Sequence, residues 1–449
     1  MKQKILLFML GAIFCLPAFA QDEDNVYEYT YEHATLSYTV DEQTMTAATT
    51  KGRWTYIGKV SIPSKIEVNN AVYTVTAIGD STFYFQTELP SISIPESVTS
   101  IGKEAFSGCW EVTSLTIPEN VTSIGDGAFY YCSDLTSITL PEGVTSIGKE
   151  TFRKCSSLTS ITIPEGVTSI GDKAFFDCSS LTSIAIPENV TSIGDEAFFW
   201  CKALTSITIP EGVTSIGEGV FGGCYSLTDI TIPEGVTSIG YRAFAACYSL
   251  TDITIPENVT FIGDKAFSEC SSLTDITLPE GVTSIGEETF SKCSSLTSIT
   301  FPEGITSIGN KAFEECTSLT DITIPEDVTY IGYEAFAGCS SLSSITYLAD
   351  EPIECYSFDD GFDKITLYMT EAGATYAQEN YIDPWYWFEN IKIVGGSSAI
   401  DDVVADFNND APCEVFLLTG VKVADTTVAL PAGIYIVRQG DSVKKIVVD

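Results

Sequence analysis

Glutamates recur along this chain at one fixed spacing, and they are its most abundant reactive side chains. One glutamate follows a proline in each 23-residue period, at Glu96, Glu119, Glu142, Glu165, Glu188, Glu211, Glu234, Glu257, Glu280, Glu303 and Glu326. Aligned carboxylates repel one another, and a bound Ca²⁺ would relieve that repulsion because hard cations prefer carboxylate oxygens. Splayed, solvated side chains would relieve it equally well. We predict no cofactor and no metal site, and calcium on this row remains an open alternative.

Cysteines form a second row with the same period. They lie at Cys109, Cys132, Cys155, Cys178, Cys201, Cys224, Cys247, Cys270, Cys293, Cys316 and Cys339. Side chains in one stacked row point in parallel, so the row as a whole cannot form disulfides. No two members are close enough in sequence for the paired ligands of a zinc site. We therefore predict small buried side chains that fill the core.

The chain has a single histidine, His33, which lies outside the repeats. Imidazole is the usual base beside a serine or cysteine nucleophile, so triad chemistry has almost no candidate. A hydrolase with paired carboxylates would need a pocket, and a regular stack of repeats offers no obvious one. We predict no catalytic residues and no enzyme activity.

Aromatic residues depart from the repeat at three variable positions beside its phenylalanine and cysteine. These residues are Trp110, Tyr130, Tyr131, Phe176, Phe199, Trp200, Tyr225 and Tyr248. Exposed aromatic side chains gathered on one side are typical of binding surfaces. Irregular packing between adjacent turns would explain them equally well. We take these eight residues as the candidate partner-binding residues.

Twelve Ile-Gly pairs recur at one spacing of 23 residues. This period predicts the structure that must position all of these side chains. The glycines of the pairs are Gly79, Gly102, Gly125, Gly148, Gly171, Gly194, Gly217, Gly240, Gly263, Gly286, Gly309 and Gly332. A period this regular predicts a stacked solenoid of about twelve turns, of the α/β class. Within residues 167–189, Ala174, Phe175, Cys178 and Leu181 have the spacing of a short helical turn. The residues that follow, up to Pro187, alternate as an inward-facing strand.

The remaining sequence divides into flanking segments. We predict a signal peptide at 1–20, an N-terminal β cap at 21–75, the solenoid at 76–347, a C-terminal cap at 348–394, a linker at 395–412 and a small β-module at 413–449. After Ala20 no run of 18 apolar residues occurs, so we predict no transmembrane segment. The formal net charge of -39, with only 22 Lys and Arg, disfavours nucleic acid and anionic membranes as partners.

The repeating unit V-T-S-I-G-x-x-A-F-x-x-C-x-x-L-T-S-I-T-I-P-E-G resembles the BspA-like leucine-rich repeat of bacterial surface proteins, roughly over residues 55–394. That resemblance implies a right-handed solenoid and adhesion to host matrix proteins or to other bacteria. The tail, at residues 430–437 and 444–448, is similar to a type IX secretion sorting domain. It implies delivery to the outer surface of a Gram-negative bacterium.

Together these features predict an exported, non-catalytic cell-surface protein that acts as an adhesin or protein-interaction scaffold. The partner we expect is a protein of the host matrix or of another bacterial surface. The alternative is a surface glycan-binding protein, which would use the aromatic residues and the outward rows of the strands. Those rows hold serine and threonine, as at Ser160 and Thr162, with aspartate in place of serine in later units, as at Asp275.

Overall fold

The computed structural model describes residues 26–53, 55–358 and 364–394, together with the backbones of four strands between residues 414 and 448. The predicted signal peptide and linker lie outside the described residues. The described chain divides into two compact units. The first extends to Thr214 and includes Val220–Leu227, and the second comprises Ser215–Gly219 and the residues from Thr228 onward.

The first unit begins with a β-rich segment. Its strands are β1 (Val26–Tyr31), β2 (Ala34–Asp41), β3 (Thr46–Thr50), β4 (Ile57–Ser61), β5 (Lys65–Val68) and β6 (Ala71–Ile78). The first three strands pair antiparallel in sequence order. Strand β6 then pairs in parallel with β3 and, at Ala77, with Ser100 of the first repeated turns. The segment therefore changes an antiparallel sheet into the parallel one that the repeats continue.

The repeated turns of the first unit contribute short parallel strands. They are β7 (Glu88–Ser93), β8 (Ser100–Ile101), β9 (Ser114–Thr116), β10 (Ser123–Ile124), β11 (Ser137–Thr139), β12 (Ser146–Ile147), β13 (Ser160–Thr162), β14 (Ser169–Ile170), β15 (Ser192–Ile193) and β16 (Ser206–Thr208). Ser137 pairs with Ser114 on one side and with Ser160 on the other. Each residue thus stacks on its equivalent 23 residues away, which confirms the predicted solenoid.

The second unit repeats this arrangement. Its strands are β17 (Asp229–Thr231), β18 (Ser238–Ile239), β19 (Phe261–Ile262), β20 (Asp275–Thr277), β21 (Ser284–Ile285), β22 (Ser298–Thr300), β23 (Ser307–Ile308), β24 (Asp321–Ile324), β25 (Tyr330–Ile331), β26 (Ser344–Tyr347), β27 (Thr366–Met369) and β28 (Asn390–Ile393). In the three-residue strands of both units the central residue is buried and its neighbours are exposed. This alternation is the period of two that a half-buried strand requires.

The short helical turn predicted in each repeat is wrong. Lys173 and Asp177 both have a φ of 56°, in the left-handed region that interrupts an α-helix. The backbone N–H groups of Lys173, Phe175 and Asp177 donate to carbonyls 22 residues later, in the next turn, at 2.9, 2.8 and 2.7 Å. The three- and four-residue spacing is genuine, but it belongs to a chain of tight turns whose N–H groups bond between turns rather than within a helix.

The core of each unit is a stack of phenylalanines. In the first unit the rings of Phe83, Phe106, Phe129, Phe152, Phe175, Phe198 and Phe221 follow one another, with centroids 5.3 to 5.8 Å apart. The second unit has a row of the same kind, formed by Phe244, Phe267, Phe290, Phe313 and Phe336. These rings are almost fully buried. They bury apolar area that a single turn could not bury alone.

The cysteine row lies beside this stack, as predicted. Its members are thiols that are not joined in disulfides, and all except the partly exposed Cys339 are buried. Each thiol whose contacts are described donates to the carbonyl of a stacked phenylalanine 26 residues earlier, as Cys155 Sγ does to Phe129 O at 3.1 Å. Burial raises the pKa of the Cys155 thiol to about 12, so it stays protonated at neutral pH.

The parallel ladder continues beyond residue 347, where the sequence predicts only a cap. Strand β27 pairs in parallel with β26, and β28 with β27. Partners there are 22 and 24 residues apart, as in Ser344 with Thr366 and Thr366 with Asn390, so the letters of the repeat are lost while the stacking persists. The solenoid accordingly has about 14 turns rather than twelve.

Two helical elements occur within the described residues, both in this last region. They are helix α1 (Glu371–Asn380) and a 3-10 helix at Trp385–Trp387. The ring of Phe358 stacks on Phe336 at 5.0 Å, and Trp385 packs edge-on against Phe358 at 5.8 Å. The indole of Trp385 is fully buried, so this region ends the phenylalanine stack with a larger aromatic side chain.

The C-terminal module contains four strands, close to the four runs that the sequence predicts. They are β29 (Glu414–Leu417), β30 (Lys422–Asp425), β31 (Gly433–Gln439) and β32 (Ser442–Val448). They form one antiparallel sheet in the order β30-β29-β31-β32. Its all-antiparallel pairing sets the module apart from the parallel repeats.

Candidate binding edge

The eight predicted partner-binding residues lie on the tight turns that follow each stacked phenylalanine. We call the two residues after that phenylalanine, together with the residue after the cysteine, the edge positions. The second edge position has a positive φ in every turn described, for example 58° at Tyr131 and 61° at Trp200. Trp110, Tyr131, Trp200 and Tyr248 remain 39%, 38%, 41% and 39% exposed. These four aromatic side chains are therefore available for contact.

Seven of the eight predicted residues lie in the first unit, and Tyr248 lies in the second. The structure brings them together in clusters. Trp110 meets Tyr131 edge-on at 5.7 Å, and the rings of Tyr130 and Tyr131 are 6.2 Å apart. A second cluster joins Phe176, Phe199 and Trp200, with centroids 5.2 to 5.5 Å apart. The edge of the first unit thus carries two aromatic clusters.

Local packing accounts for part of this set. Phe176 is buried, with 8% of its surface exposed, and stacks on Phe199 at 5.4 Å. Tyr130, Phe199 and Tyr225 are half-buried. The interpretation as irregular packing therefore suits Phe176, whereas the exposed rings of Trp110, Tyr131 and Trp200 leave room for a partner.

Cationic side chains interleave with these rings, and sequence reasoning missed them. The Arg153 guanidinium lies 5.5 Å from the Tyr130 centroid and 4.8 Å from that of Phe176. Lys154 Nζ is 5.4 Å from Tyr131, and Lys202 Nζ is 5.8 Å from Trp200. The signal was available, because Arg153 and Lys154 occupy the same two edge positions as the tyrosines one repeat earlier. Cations over aromatic faces hold these rings in place.

Phe85 is a further exposed edge residue, in a repeat that the cysteine row does not mark because Gln86 stands where other repeats have cysteine. Its ring is 44% exposed and lies 6.2 Å from Trp110. A Cβ at Gly108 would come within 2.9 Å of that ring, and a Cβ at Gly223 within 2.2 Å of Trp200. Glycine in the following turn therefore makes the space that a bulky edge residue needs.

A groove of about 380 Å³ opens on the same edge. It is lined by Tyr84, Lys103, Glu104, Ser107, Asp126, Gly127, Tyr130, Lys149 and Glu150. Two tyrosines from turns two repeats apart flank it, and Ser107 belongs to the turn between them. Its lining is mostly polar and charged, which distinguishes it from the apolar pockets that hold drug-sized ligands.

Several aspartates accept hydrogen bonds from backbone N–H groups of the next turn. Asp126 Oδ1 accepts the N–H of Lys149 at 2.8 Å, and Asp264 Oδ1 accepts that of Glu287 at 2.9 Å. The glutamates that follow the prolines are exposed. Within the part of the chain that the structure describes, no group of three or more His, Cys, Asp or Glu side chains could hold a metal ion. His33 is exposed in the turn between β1 and β2.

The strand faces present exposed hydroxyl and carboxylate rows, as the sequence predicts. Ser160 and Thr162 flank the buried Ile161, and Asp275 and Thr277 flank Ile276. The threonines that precede several of these strands have their hydroxyls engaged, as Thr159 Oγ1 donates to Thr136 O at 3.3 Å. The exposed side chains of the strand residues therefore form the polar rows on this face.

Comparison with known proteins identifies the repeats. Residues 62–179, 145–274 and 260–366 match the BspA type Leucine rich repeat region, in six copies. A leucine rich cell surface protein from Faecalibacterium prausnitzii is 32% identical over 73% of this chain and 96% of its own, with a TM-score of 0.50. A leucine-rich repeat protein from Bacteroides ovatus is 25% identical over 76% and 100%, with a TM-score of 0.47.

The comparison with curated proteins found no match. Among the residues that the structure describes, no helix has both the length and the apolar composition to cross a membrane.

Proposed function

The chain belongs to the BspA-type leucine-rich repeat family, and on this basis we propose that it is an exported cell-surface adhesin or protein-interaction scaffold. Its binding face is the edge of the first unit, and its action is non-catalytic. The similar protein from F. prausnitzii is described as a cell surface protein, which supports a surface location. The sequence features of a signal peptide and a sorting domain support export to the outer surface of a Gram-negative bacterium.

The observation that carries this proposal is the exposure of Trp110, Tyr131 and Trp200 on one edge, each about two-fifths exposed. Tryptophan, tyrosine and arginine are the residues enriched where interfaces gain most of their binding energy. Rings held by neighbouring side chains lose little conformational freedom on binding. The partner is a protein of the host matrix or of another bacterial surface.

The exposed rows on the strands favour one alternative, a surface glycan-binding protein. Ser137, Ser160 and their flanking threonines repeat in register, and their side chains are exposed. Regularly spaced hydroxyls would contact sugar hydroxyls through hydrogen bonds. In this alternative the binding surface is the strand face and the aromatic edge is secondary.

A binding panel separates the two functions. The full mature chain is tested against purified host matrix proteins and polysaccharides, beside the variant Trp110→Ala/Tyr131→Ala/Trp200→Ala. Loss of an interface hot spot costs about 2 kcal/mol or more, so we expect protein binding to fall at least about 30-fold. Phe261→Ala is the matched control, because Phe261 is 56% exposed in the second unit.

Protein binding that is unchanged in the triple variant would contradict the proposed edge. Binding of polysaccharides alone, unaffected by the triple variant, would favour the glycan function instead. Melting temperatures of the variants must match that of the natural chain, so that a loss reports on the surface.

Deletion of residues 413–449 tests the proposed export route. We expect the shortened chain to be made but to be missing from the cell surface, as measured by labelling intact cells with an antibody against the repeats. Surface labelling equal to that of the full chain would contradict a sorting role for this module.

A further inference from the structure

The groove beside Tyr84 and Tyr130 contains a buried polar atom without a partner. Ser107, at its floor, is 1% exposed, and its Oγ has no hydrogen-bond partner. An unpaired buried hydroxyl is unfavourable, and native structures have few of them. The unpaired hydroxyl therefore favours a polar ligand in the groove.

The chain contains a filled copy of this groove 46 residues later. Tyr84, Ser107 and Tyr130 correspond in the repeat to Tyr130, Arg153 and Phe176. In that copy the guanidinium of Arg153 lies between the two rings, 5.5 Å from one centroid and 4.8 Å from the other. Its Nη1 donates to Glu150 Oε1 at 3.0 Å. The two rings are two turns apart, and stacked turns about 4.8 Å apart leave room for a guanidinium between them.

The unfilled copy has two rings and a carboxylate but no arginine between the rings, and the cation described over Tyr84 is Lys51 Nζ, 4.7 Å from its centroid. Glu104 corresponds to Glu150, and Lys103 to Lys149. Serine replaces the arginine, so the space between the rings is open. Glu104 pairs with Lys103 at 3.8 Å, and that lysine side chain is 63% exposed, a looser pair than the 3.0 Å contact of Arg153 with Glu150. A carboxylate and two rings thus line the position that corresponds to the guanidinium of the filled copy.

We propose that this groove binds an arginine side chain of the partner protein, with its guanidinium between Tyr84 and Tyr130 and paired with Glu104. This inference rests on the proposed function, because the partner supplies the arginine. Among the carboxylates of the lining, Glu150 is already paired with Arg153 at 3.0 Å, so Glu104 is the one placed to pair with a guanidinium between the two tyrosines. The net charge of -39 also favours the approach of a basic segment of the partner.

Arginine fits the groove better than lysine does. A planar guanidinium stacks on aromatic faces and pairs with a carboxylate at the same time, whereas an ammonium is a compact, strongly hydrated charge. A sugar ring could also contact the two tyrosines, but it carries no charge and its binding would not depend on the Glu104 carboxylate. Binding that depends on the positive charge of the ligand therefore distinguishes an arginine side chain from a sugar.

The test uses the peptide acetyl-Gly-Arg-Gly-amide, titrated into the full mature chain and followed by ligand-observed NMR. The matched probes contain citrulline, which has the same shape without the charge, or lysine. We expect the citrulline peptide to bind at least about tenfold more weakly than the arginine peptide, and the lysine peptide several-fold more weakly. A hexose panel is titrated in parallel.

Ser107→Arg supplies the groove with a guanidinium of its own, as Arg153 does in the filled copy. We expect this variant to fold and to lose arginine-peptide binding at least about tenfold. Ser268→Arg is the control, because Ser268 is the same edge position in the second unit, between turns that carry Ala245 and Ser291 there. It should leave binding unchanged.

Equal binding of the arginine and citrulline peptides would overturn the proposal, as would full binding by Ser107→Arg. Binding of a hexose without binding of arginine would overturn it in favour of a sugar site. The peptide probe needs no partner protein, so a failure here leaves the result of the binding panel intact. Conversely, arginine binding with no protein captured in the panel would contradict only the proposed function.

Discussion

The two units have cores of the same kind and differ at their edges. In the first unit the two positions after the stacked phenylalanine carry pairs such as Tyr130 with Tyr131 and Phe199 with Trp200. In the second unit they carry small or charged pairs, as in Ala245 with Ala246, Ser268 with Glu269 and Glu314 with Glu315. Backbone geometry does not explain this difference, since the second edge position has a φ near 60° in both units, 61° at Trp200 and 64° at Glu269.

This comparison shows which positions are free to carry function. The N–H of the second edge residue bonds to the next turn whatever its side chain is, at 2.8 Å for Trp200 and 2.7 Å for Glu269. The ladder therefore holds the turn with either kind of edge side chain. The phenylalanine and cysteine rows have no such freedom, because they are packed on all sides.

The largest expected effect concerns the cores of the two units. Phe175→Ala in the first unit and Phe290→Ala in the second should each lower the free energy of unfolding of their region by about 3 to 5 kcal/mol. Both rings are fully buried and stack on two neighbours, 5.4 to 5.6 Å away. Urea unfolding measures the loss. A cost below about 1 kcal/mol in one unit alone would show that the two cores are not equivalent.

The next effect concerns the cysteine row at alkaline pH. Burial raises the pKa of Cys155 in the first unit and of Cys270 in the second to about 12. An unfolded thiol ionises near pH 8.5, so each buried thiol contributes fully below about pH 8.5, and that contribution is lost as the pH rises toward 12. Stability should therefore fall above about pH 8.5 in both units.

Cysteine variants isolate this effect. Between pH 7 and pH 10 each thiol should lose about 2 kcal/mol, so Cys155→Ala and Cys270→Ala should each reduce the fall in stability by that amount. Unfolding midpoints in urea at the two pH values give the slopes. A variant whose stability falls with pH as steeply as that of the natural chain would mean that its thiol ionises freely in the fold.

A smaller effect separates the edges. Gly223 has a φ of 71° and Gly338 a φ of 72°, so alanine at either position costs about 1 kcal/mol. In addition, a Cβ at Gly223 would lie 2.2 Å from the Trp200 ring, whereas the nearest atom at Gly338 is Cγ of Glu315 at 3.2 Å. Gly223→Ala alone should shift tryptophan emission, because it displaces Trp200. Identical emission changes in both variants would contradict the close approach of glycine and indole.

Much of the fold follows from the sequence because every turn solves one packing problem. The 23-residue period places Phe175 on Phe152 and Cys178 in the buried row without further information. The period could not reveal the tight turns, because the spacing of Ala174 and Cys178 fits a helix equally well. Only the hydrogen bonds between turns distinguish the two structures. The period also fails after Tyr347, where Phe358 continues the stack although its surroundings no longer match the repeat.

The edge was predictable only in part. Aromatic letters identified Trp110 and Trp200, but not which rings are buried, because Phe176 and Trp200 occupy adjacent edge positions in neighbouring repeats. The groove could not be predicted from the sequence, because Ser107 forms it only by being smaller than Arg153, the residue at the same position of the filled copy. Only alignment of the filled and unfilled copies in space gives it meaning.

The central claim is that the edge of the first unit, and not the exposed rings on the strands and turns of the second, contacts the partner. Hydroxyl-radical footprinting of the full chain, with and without a partner protein identified in the binding panel, compares exposed rings in both units in one experiment. We predict that the partner lowers oxidation of Trp110, Tyr131 and Trp200 several-fold and leaves Phe261, Tyr330 and Tyr333 unchanged. Protection of the second set, or of neither set, would contradict this account.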